Sequence, residues 1–299
     1  MDSKAYKKGV RVGKFLDVVE YITIPILYRN TRDLKIVESV KYGDEHREEL
    51  DIIFKDDGIK KPILIYIHGG GFISGVRKMR KYICAEYARA GYKVFNLDYE
   101  LAPCKQFPYQ IYQLAKAFDY ITKNADEYNI DLTNIVIAGE SAGAYYACYL
   151  TALLTNQKLQ QQLGIKVNLD SINIKATILM NGCYSAKGMC KLTFPNMPTF
   201  IESFFGADIP TIESKNDDEI ALLSATNFIT PAFPKTVVGR SKKDGLDPES
   251  VHLIEVLKAN NIPYTEFMAG GINSPHGWCL ATFTKEGKRC LNIAQEYIK

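Results

Sequence analysis

The sequence lacks any apolar run approaching the roughly 18 residues that a membrane-spanning helix needs. Its first residues, Met1 to Lys14, are charged, with neither the apolar stretch nor the small-residue cleavage site of a secretory signal. No C-x-x-C pair occurs among the seven cysteines, Cys84, Cys104, Cys148, Cys183, Cys190, Cys279 and Cys290. Their odd number and apolar neighbours predict reduced, buried thiols, and a chain this long needs no disulfide or metal staple. The expectation is a soluble, cytoplasmic protein without membrane insertion. Charge of one sign is also missing: 37 Lys and Arg face 34 Asp and Glu, for a net +3. Basic residues cluster only at Arg77–Lys81 and Arg240–Lys243, so no stripe or readable motif marks a nucleic-acid binder. Repeats, low-complexity tracts and Pro/Gly/Ser linkers are absent too, which predicts one domain over residues 1–299.

What the chain does contain is alternation. Short β-branched runs at 35–41, 49–55, 62–68 (PILIYIH), 92–98 (YKVFNLD), 134–139 (NIVIAG), 174–180, 235–239 and 264–268 read as strands. Periodic segments at 79–90, 109–123, 142–156, 249–260 and 285–298 read as helices. The first two strands predict a hairpin. The others, separated by helices, predict a mostly parallel central sheet covered on both faces, an α/β fold. Two stretches stand outside this pattern: the arm up to about residue 32, and 183–230 with Phe194, Phe200, Phe204, Phe205 and Phe228. Both are expected to form a helical cap over the C-terminal edge of the sheet, where open α/β folds place ligands. The alternative is extra helices packed elsewhere on the surface. In the cap reading, Phe200, Phe204 or Phe205 lines the substrate pocket.

The segment Gly139-Glu140-Ser141-Ala142-Gly143 ends one strand and opens a helix. That is the context a G-x-S-x-G nucleophile elbow requires: a turn too tight for flanking side chains, with the serine hydroxyl raised above the sheet. Alone the pattern arises by accident in roughly one chain in ten of this length. A second motif supports it. His68-Gly69-Gly70-Gly71-Phe72 follows the 62–68 strand, and unobstructed backbone amides there can face a developing oxyanion. No G-K-[ST] or G-x-G-x-x-G completes a phosphate-binding motif. A serine needs a base, and only four histidines are available. His46 lies in an acidic segment read as surface, His68 orders the glycine loop, and His252 sits inside a helical pattern. His276, in Ser274-Pro275-His276-Gly277-Trp278, occupies the loop after the last strand, where the order Ser, Asp, His places the base. The acid belongs on the loop after the 235–239 strand. Asp247, before Pro248, reads as a helix N-cap, which leaves Asp244 as the expected acid with Asp247 the alternative.

At these residues the chain resembles the hormone-sensitive-lipase branch of the α/β-hydrolase esterases, also called α/β-hydrolase fold-3. The resemblance rests on HGGGF, on Asp98-Tyr99-Glu100-Leu101-Ala102-Pro103 (D-Y-x-L-A-P), on Phe107-Pro108, on GESAG and on the Asp244 and His276 loops. It implies the α/β-hydrolase fold with a helical cap over the acyl pocket, and an oxyanion hole from the amides of Gly70, Gly71 and Ala142. It further implies no cofactor, no metal and a small-molecule ester substrate with a short acyl chain. The sequence departs from that branch at Glu100, where Arg is usual, and at Lys243-Asp244-Gly245-Leu246-Asp247, where D-P-L-x-D is more common. Arylformamidases have a similar arrangement, so an aryl formamide or amide hydrolase is the first alternative. The plant gibberellin receptor resembles the same branch without its histidine, and a non-catalytic ligand-binding protein is the second.

Overall fold

Successive side chains of a strand point to opposite faces of its sheet, so a strand covered on both sides is apolar at every position. The 62–68 run behaves in this way. Ile63, Ile65 and Ile67 enter one buried cluster while Leu64 and Tyr66 enter another, and Ile135 and Ile137 divide from Val136 and Ala138 in the same manner. A computed structural model describes residues 3–27, 31–270 and 274–299. The elements run α1 (Ser3–Leu27), β1 (Lys35–Lys41), β2 (Glu49–Phe54), β3 (Lys61–Ile67), α2 (Lys81–Arg89), β4 (Lys93–Leu97), α3 (Tyr109–Lys123), α4 (Ala125–Tyr128), β5 (Ile130–Glu140) and α5 (Ala142–Thr155). They continue as α6 (Gln157–Leu163), β6 (Ile174–Met180), α7 (Ala186–Cys190), α8 (Met197–Phe205), α9 (Ile209–Ser214), β7 (Lys235–Ser241), α10 (Asp247–Ala259), β8 (Tyr264–Ala269) and α11 (Lys285–Ile298).

Among the described residues eight strands form one sheet in the order β1-β2-β4-β3-β5-β6-β7-β8. β1 pairs with β2, and β2 with β4, antiparallel; every later pairing is parallel. This is the expected hairpin joined to a parallel sheet, and it is the α/β-hydrolase fold. α3, α5 and α10 bury Phe118, Leu150 and Leu257 against one face. On the other face α2 and α11 bury Tyr87 and Leu291. α5 is buried along nearly its whole length, which a helix sandwiched between the sheet and further layers must be.

The differences from the expected elements are local. β5 begins at Ile130 rather than 134, and the expected helix at 79–90 opens as a 3-10 turn at Arg77–Arg80. The arm before residue 32 is one 25-residue helix, α1, and 183–230 holds α7, α8 and α9 with two short 3-10 turns. Positions 1, 2 and 28–30 of that arm lie outside the described residues. α1 packs against α8, so the two stretches that break the alternation meet each other.

Candidate active site

β5 ends at Glu140 and α5 begins at Ala142, so Ser141 alone makes the turn, at φ 56° and ψ −125°. A non-glycine residue in such a region is strained and persists only where its surroundings hold it. Here the Ser141 amide donates to Met180 O at 2.9 Å, tying the turn to the neighbouring strand. The flanking glycines are required by close approach. A Cβ on Gly139 would lie 2.3 Å from Gly143 O, and one on Gly143 would lie 2.1 Å from Ile67 O.

His276 Nε2 is 2.9 Å from Ser141 Oγ, and its Nδ1 is 3.0 and 3.1 Å from the two Asp244 oxygens. Asp244 is buried. Its carboxylate also accepts from Asn181 Nδ2 at 2.7 Å and from the Leu246 amide at 2.9 Å, so its orientation is fixed from three directions. Ser241 Oγ donates to Ser274 O at 2.7 Å and fastens the histidine loop to β7. The structure therefore brings Ser141, His276 and Asp244 into one hydrogen-bonded chain. Asp247 is elsewhere in the network and is not the helix N-cap expected of it. It is the first residue of α10, makes no side-chain cap, and instead takes Arg240 in a two-pronged ion pair at 2.7 and 2.8 Å. The guanidinium offers two donors in a fork that a carboxylate fills better than one backbone amide does.

The other histidines stand where expected. His46 is 79% exposed and pairs with Glu100 at 2.7 Å, so the departure at Glu100 is met by a local partner. His252, on α10, lies with its Nε2 3.4 Å from Thr226 Oγ1. His68 is buried beneath the glycine loop, stacked on Tyr99 at 4.4 Å. Its Nδ1 must donate to Gly69 O at 2.8 Å, because a carbonyl can only accept, and Nε2 lies 3.2 Å from Asp98. Asp98 also receives the Arg77 side chain and amide and Arg47. Burial pushes the Asp98 carboxyl up, but His68, Arg47 and the Arg77 amide together hold it far below the usual carboxylate range. The D-Y-x-L-A-P segment thus anchors the base of the glycine loop.

In that loop the first glycine amide is already used. Gly69 N donates to Glu140 Oε1 at 2.6 Å, and Glu140 is itself held by Arg80 Nε at 2.6 Å and Tyr66 OH at 2.7 Å. Gly70, at φ 131°, turns the chain so that its carbonyl accepts from Ile73 N and Ser74 N. Among the described residues, the amides of Gly70, Gly71 and Ala142 have no protein acceptor, and all three residues line the cavity that holds Ser141 and His276. Glu140, Arg80 and Asn181 were not singled out from sequence. Glu140 is the variable position of the elbow and Asn181 a polar residue at the C-terminal end of a strand, both readable signals; Arg80 has none.

The cavity measures about 330 Å³ and is walled by Leu16 and Val19 of α1 and by Phe194, Met197 and Phe200. Of Phe200, Phe204 and Phe205, one of which is expected to line it, Phe200 does so. Phe204 is fully buried and stacks on Phe72 at 4.1 Å, and Phe205 packs toward Phe107; both are packing residues. Phe194, from the same stretch, also lines the cavity and touches the His276 ring edge-on at 4.8 Å.

The BD-FAE family model matches residues 50–255, a span that includes Ser141 and Asp244 and ends before His276. An esterase of Gibberella moniliformis is 28% identical over 232 residues, covering 76% of this chain and 70% of that protein. Esterase LipC of Mycobacterium tuberculosis is 28% identical over 263 residues, 85% of this chain and 63% of that protein. Esterase B from Lactobacillus rhamnosis superposes with a TM-score of 0.84 over 99% of this chain and 95% of that one, at 17% identity, a likeness of fold. With more than half of its length matched by the family model, the chain belongs to the BD-FAE family and has the α/β-hydrolase fold.

Proposed function

We propose that the protein hydrolyses short-chain carboxylic esters through an acyl-enzyme on Ser141. The observation that carries this reading is the chain Ser141–His276–Asp244 ending in an apolar cavity beside three amides that have no protein acceptor among the described residues. Asp244 accepts the Nδ1 proton of His276, which leaves Nε2 as the acceptor facing Ser141 Oγ. Ser141 attacks the ester carbonyl as its proton passes to Nε2. The carbonyl oxygen gains negative charge and takes the amides of Gly70, Gly71 and Ala142, which need no reorganisation to receive it. The imidazolium then protonates the leaving alcohol, and water repeats the cycle to release the acid. No step calls for a metal or cofactor. The relatives that are esterases support the reaction class.

We read α1 and the 183–230 stretch as the cap, since Leu16 and Val19 of α1 and Cys183, Phe194, Met197 and Phe200 of that stretch wall the same cavity as Ser141. Its volume of about 330 Å³ and apolar lining favour a small acyl group over a long chain. Seven free cysteines, most of them buried, support a reducing, cytoplasmic compartment. Turnover of p-nitrophenyl acetate, butyrate and octanoate, measured beside an aryl formamide, tests the proposal. The expected result is kcat/KM highest for the shorter esters and lower for the formamide. A formamide preference would move the protein to the amide-cleaving alternative, and ligand binding without any turnover to the non-catalytic one.

A further inference from the structure

α1 has a fixed inner face and an outer face that packs on nothing described. Gly9 and Gly13 set the inner face: a Cβ on Gly9 would lie 2.4 Å from Ser203 Oγ, and one on Gly13 would lie 2.3 Å from Ile73 O. Ala5 is buried on the same side, and Asp17 turns inward to accept the Gly75 amide at 2.8 Å. Helical periodicity then sends Lys7, Lys8, Arg11 and Lys14 outward in the first half of the helix, all exposed. In the second half the same outer face carries Phe15, Val18, Tyr21 and Ile22, which are 65, 56, 75 and 66% exposed. Phe15, Val18 and Ile22 have the i, i+3, i+7 spacing of a buried stripe, yet nothing described buries it. Among the described side chains no carboxylate pairs with Lys7, Lys8, Arg11 or Lys14.

We propose that the outer face of α1 docks on an anionic lipid surface, with its basic half at the headgroups and its apolar half entering the acyl boundary. Charge decides between this and a second copy of the chain. Two such faces paired in parallel set four cations against four, and paired antiparallel they set cations against Phe15 and Ile22; both arrangements leave buried charge without a partner. An anionic lipid surface supplies counter-charge and apolar depth side by side, which is how interfacial helices bind. The placement has a consequence for access. Leu16 and Val19, on the same turns as Phe15 and Val18, wall the Ser141 cavity, so docking brings that wall to the lipid boundary. The docking itself does not depend on the catalytic reading.

Cosedimentation with phosphatidylcholine vesicles, with and without about one third phosphatidylglycerol, tests it. The wild-type chain is expected to partition onto the anionic vesicles, less onto the neutral ones, and less at raised salt. Phe15→Ser with Ile22→Ser should lower partitioning on the order of 10- to 100-fold, from the apolar burial lost. Lys7→Glu with Arg11→Glu should abolish the preference for anionic vesicles. Both variants should melt at the wild-type temperature, because neither touches the inner face. Failure of the wild-type chain to cosediment overturns the proposal, as does equal binding by the variants. So does a wild-type dimer, seen by sedimentation equilibrium, that Phe15→Ser with Ile22→Ser dissolves, since the face would then be a protein interface.

Discussion

On the sheet side of the cavity, the groups that would react are held by directional bonds. His276 is held by Asp244, Asp244 by Asn181 and the Leu246 amide, and the glycine loop by Glu140. On the opposite side, the wall is made by the apolar side chains of Leu16, Val19, Met197 and Phe200, which can offer only contact. Hydrogen bonds weaken steeply within a few tenths of an ångström, whereas apolar contact changes gradually with shape. The sheet side can therefore place reacting atoms, and the helical side can only limit size. Substitutions on the first wall should cost rate by orders of magnitude, and those on the second should redistribute activity among substrates.

The largest expected effect is at Ser141. Ser141→Ala removes the nucleophile while alanine keeps the same backbone turn, so the melting temperature should stay near wild type. The kcat for p-nitrophenyl acetate should fall on the order of 10⁶-fold, as loss of a triad nucleophile does elsewhere. More than about a hundredth of wild-type kcat remaining, far above that expectation, would place the chemistry on another group.

Next comes the choice of acid. Asp244→Asn would offer His276 an amide in place of a charge and favour the wrong imidazole tautomer, at a cost of about 10⁴-fold in kcat. Asp247→Asn should leave kcat within a few-fold, since Asp247 serves Arg240 and not His276. Its cost should be about 1 kcal/mol of stability, the scale of a partly exposed ion pair. Steady-state kinetics and a thermal melt on the two variants separate these outcomes. The reverse ranking would hand the acid role to Asp247.

The two walls were unequally legible in sequence for the same reason that they differ in strength. The elbow, the glycine loop and the sheet depend on short-range rules: glycines where a Cβ would meet backbone, and β-branched runs at every buried strand. Gly139, Gly143, His68 and the strands could be read from a few adjacent letters. The acid loop was half legible. Asp244 follows from position, but the partner of Asp247 is Arg240, seven residues back, and preference for an N-cap could not reveal it. The pocket wall depends on how α1 and α8 meet across most of the chain, which no local pattern encodes. Phe194, Phe200, Phe204 and Phe205 look alike in sequence; only packing separates the two that line the cavity from the two that do not.

The smallest expected effect therefore tests that separation, at Phe200 against Phe204. The Phe200 ring lines the cavity and abuts the glycine loop, where a Cβ on Gly71 would lie 2.7 Å from its Cε1. Phe200→Ala opens space beside the proposed acyl position without touching Ser141, His276 or Asp244. Each methylene newly accommodated contributes about 1–3 kcal/mol to transition-state binding. The ratio of kcat/KM for octanoate over acetate should rise by about tenfold or more, with acetate turnover itself little changed. Phe204→Ala removes a ring stacked on Phe72 and fully enclosed. It should lose about 3–5 kcal/mol of stability to the cavity left behind while the acyl profile of the folded fraction stays as in wild type. An acyl profile that moves with Phe204 and not with Phe200 would mean that the helical wall limits size through its core rather than its lining.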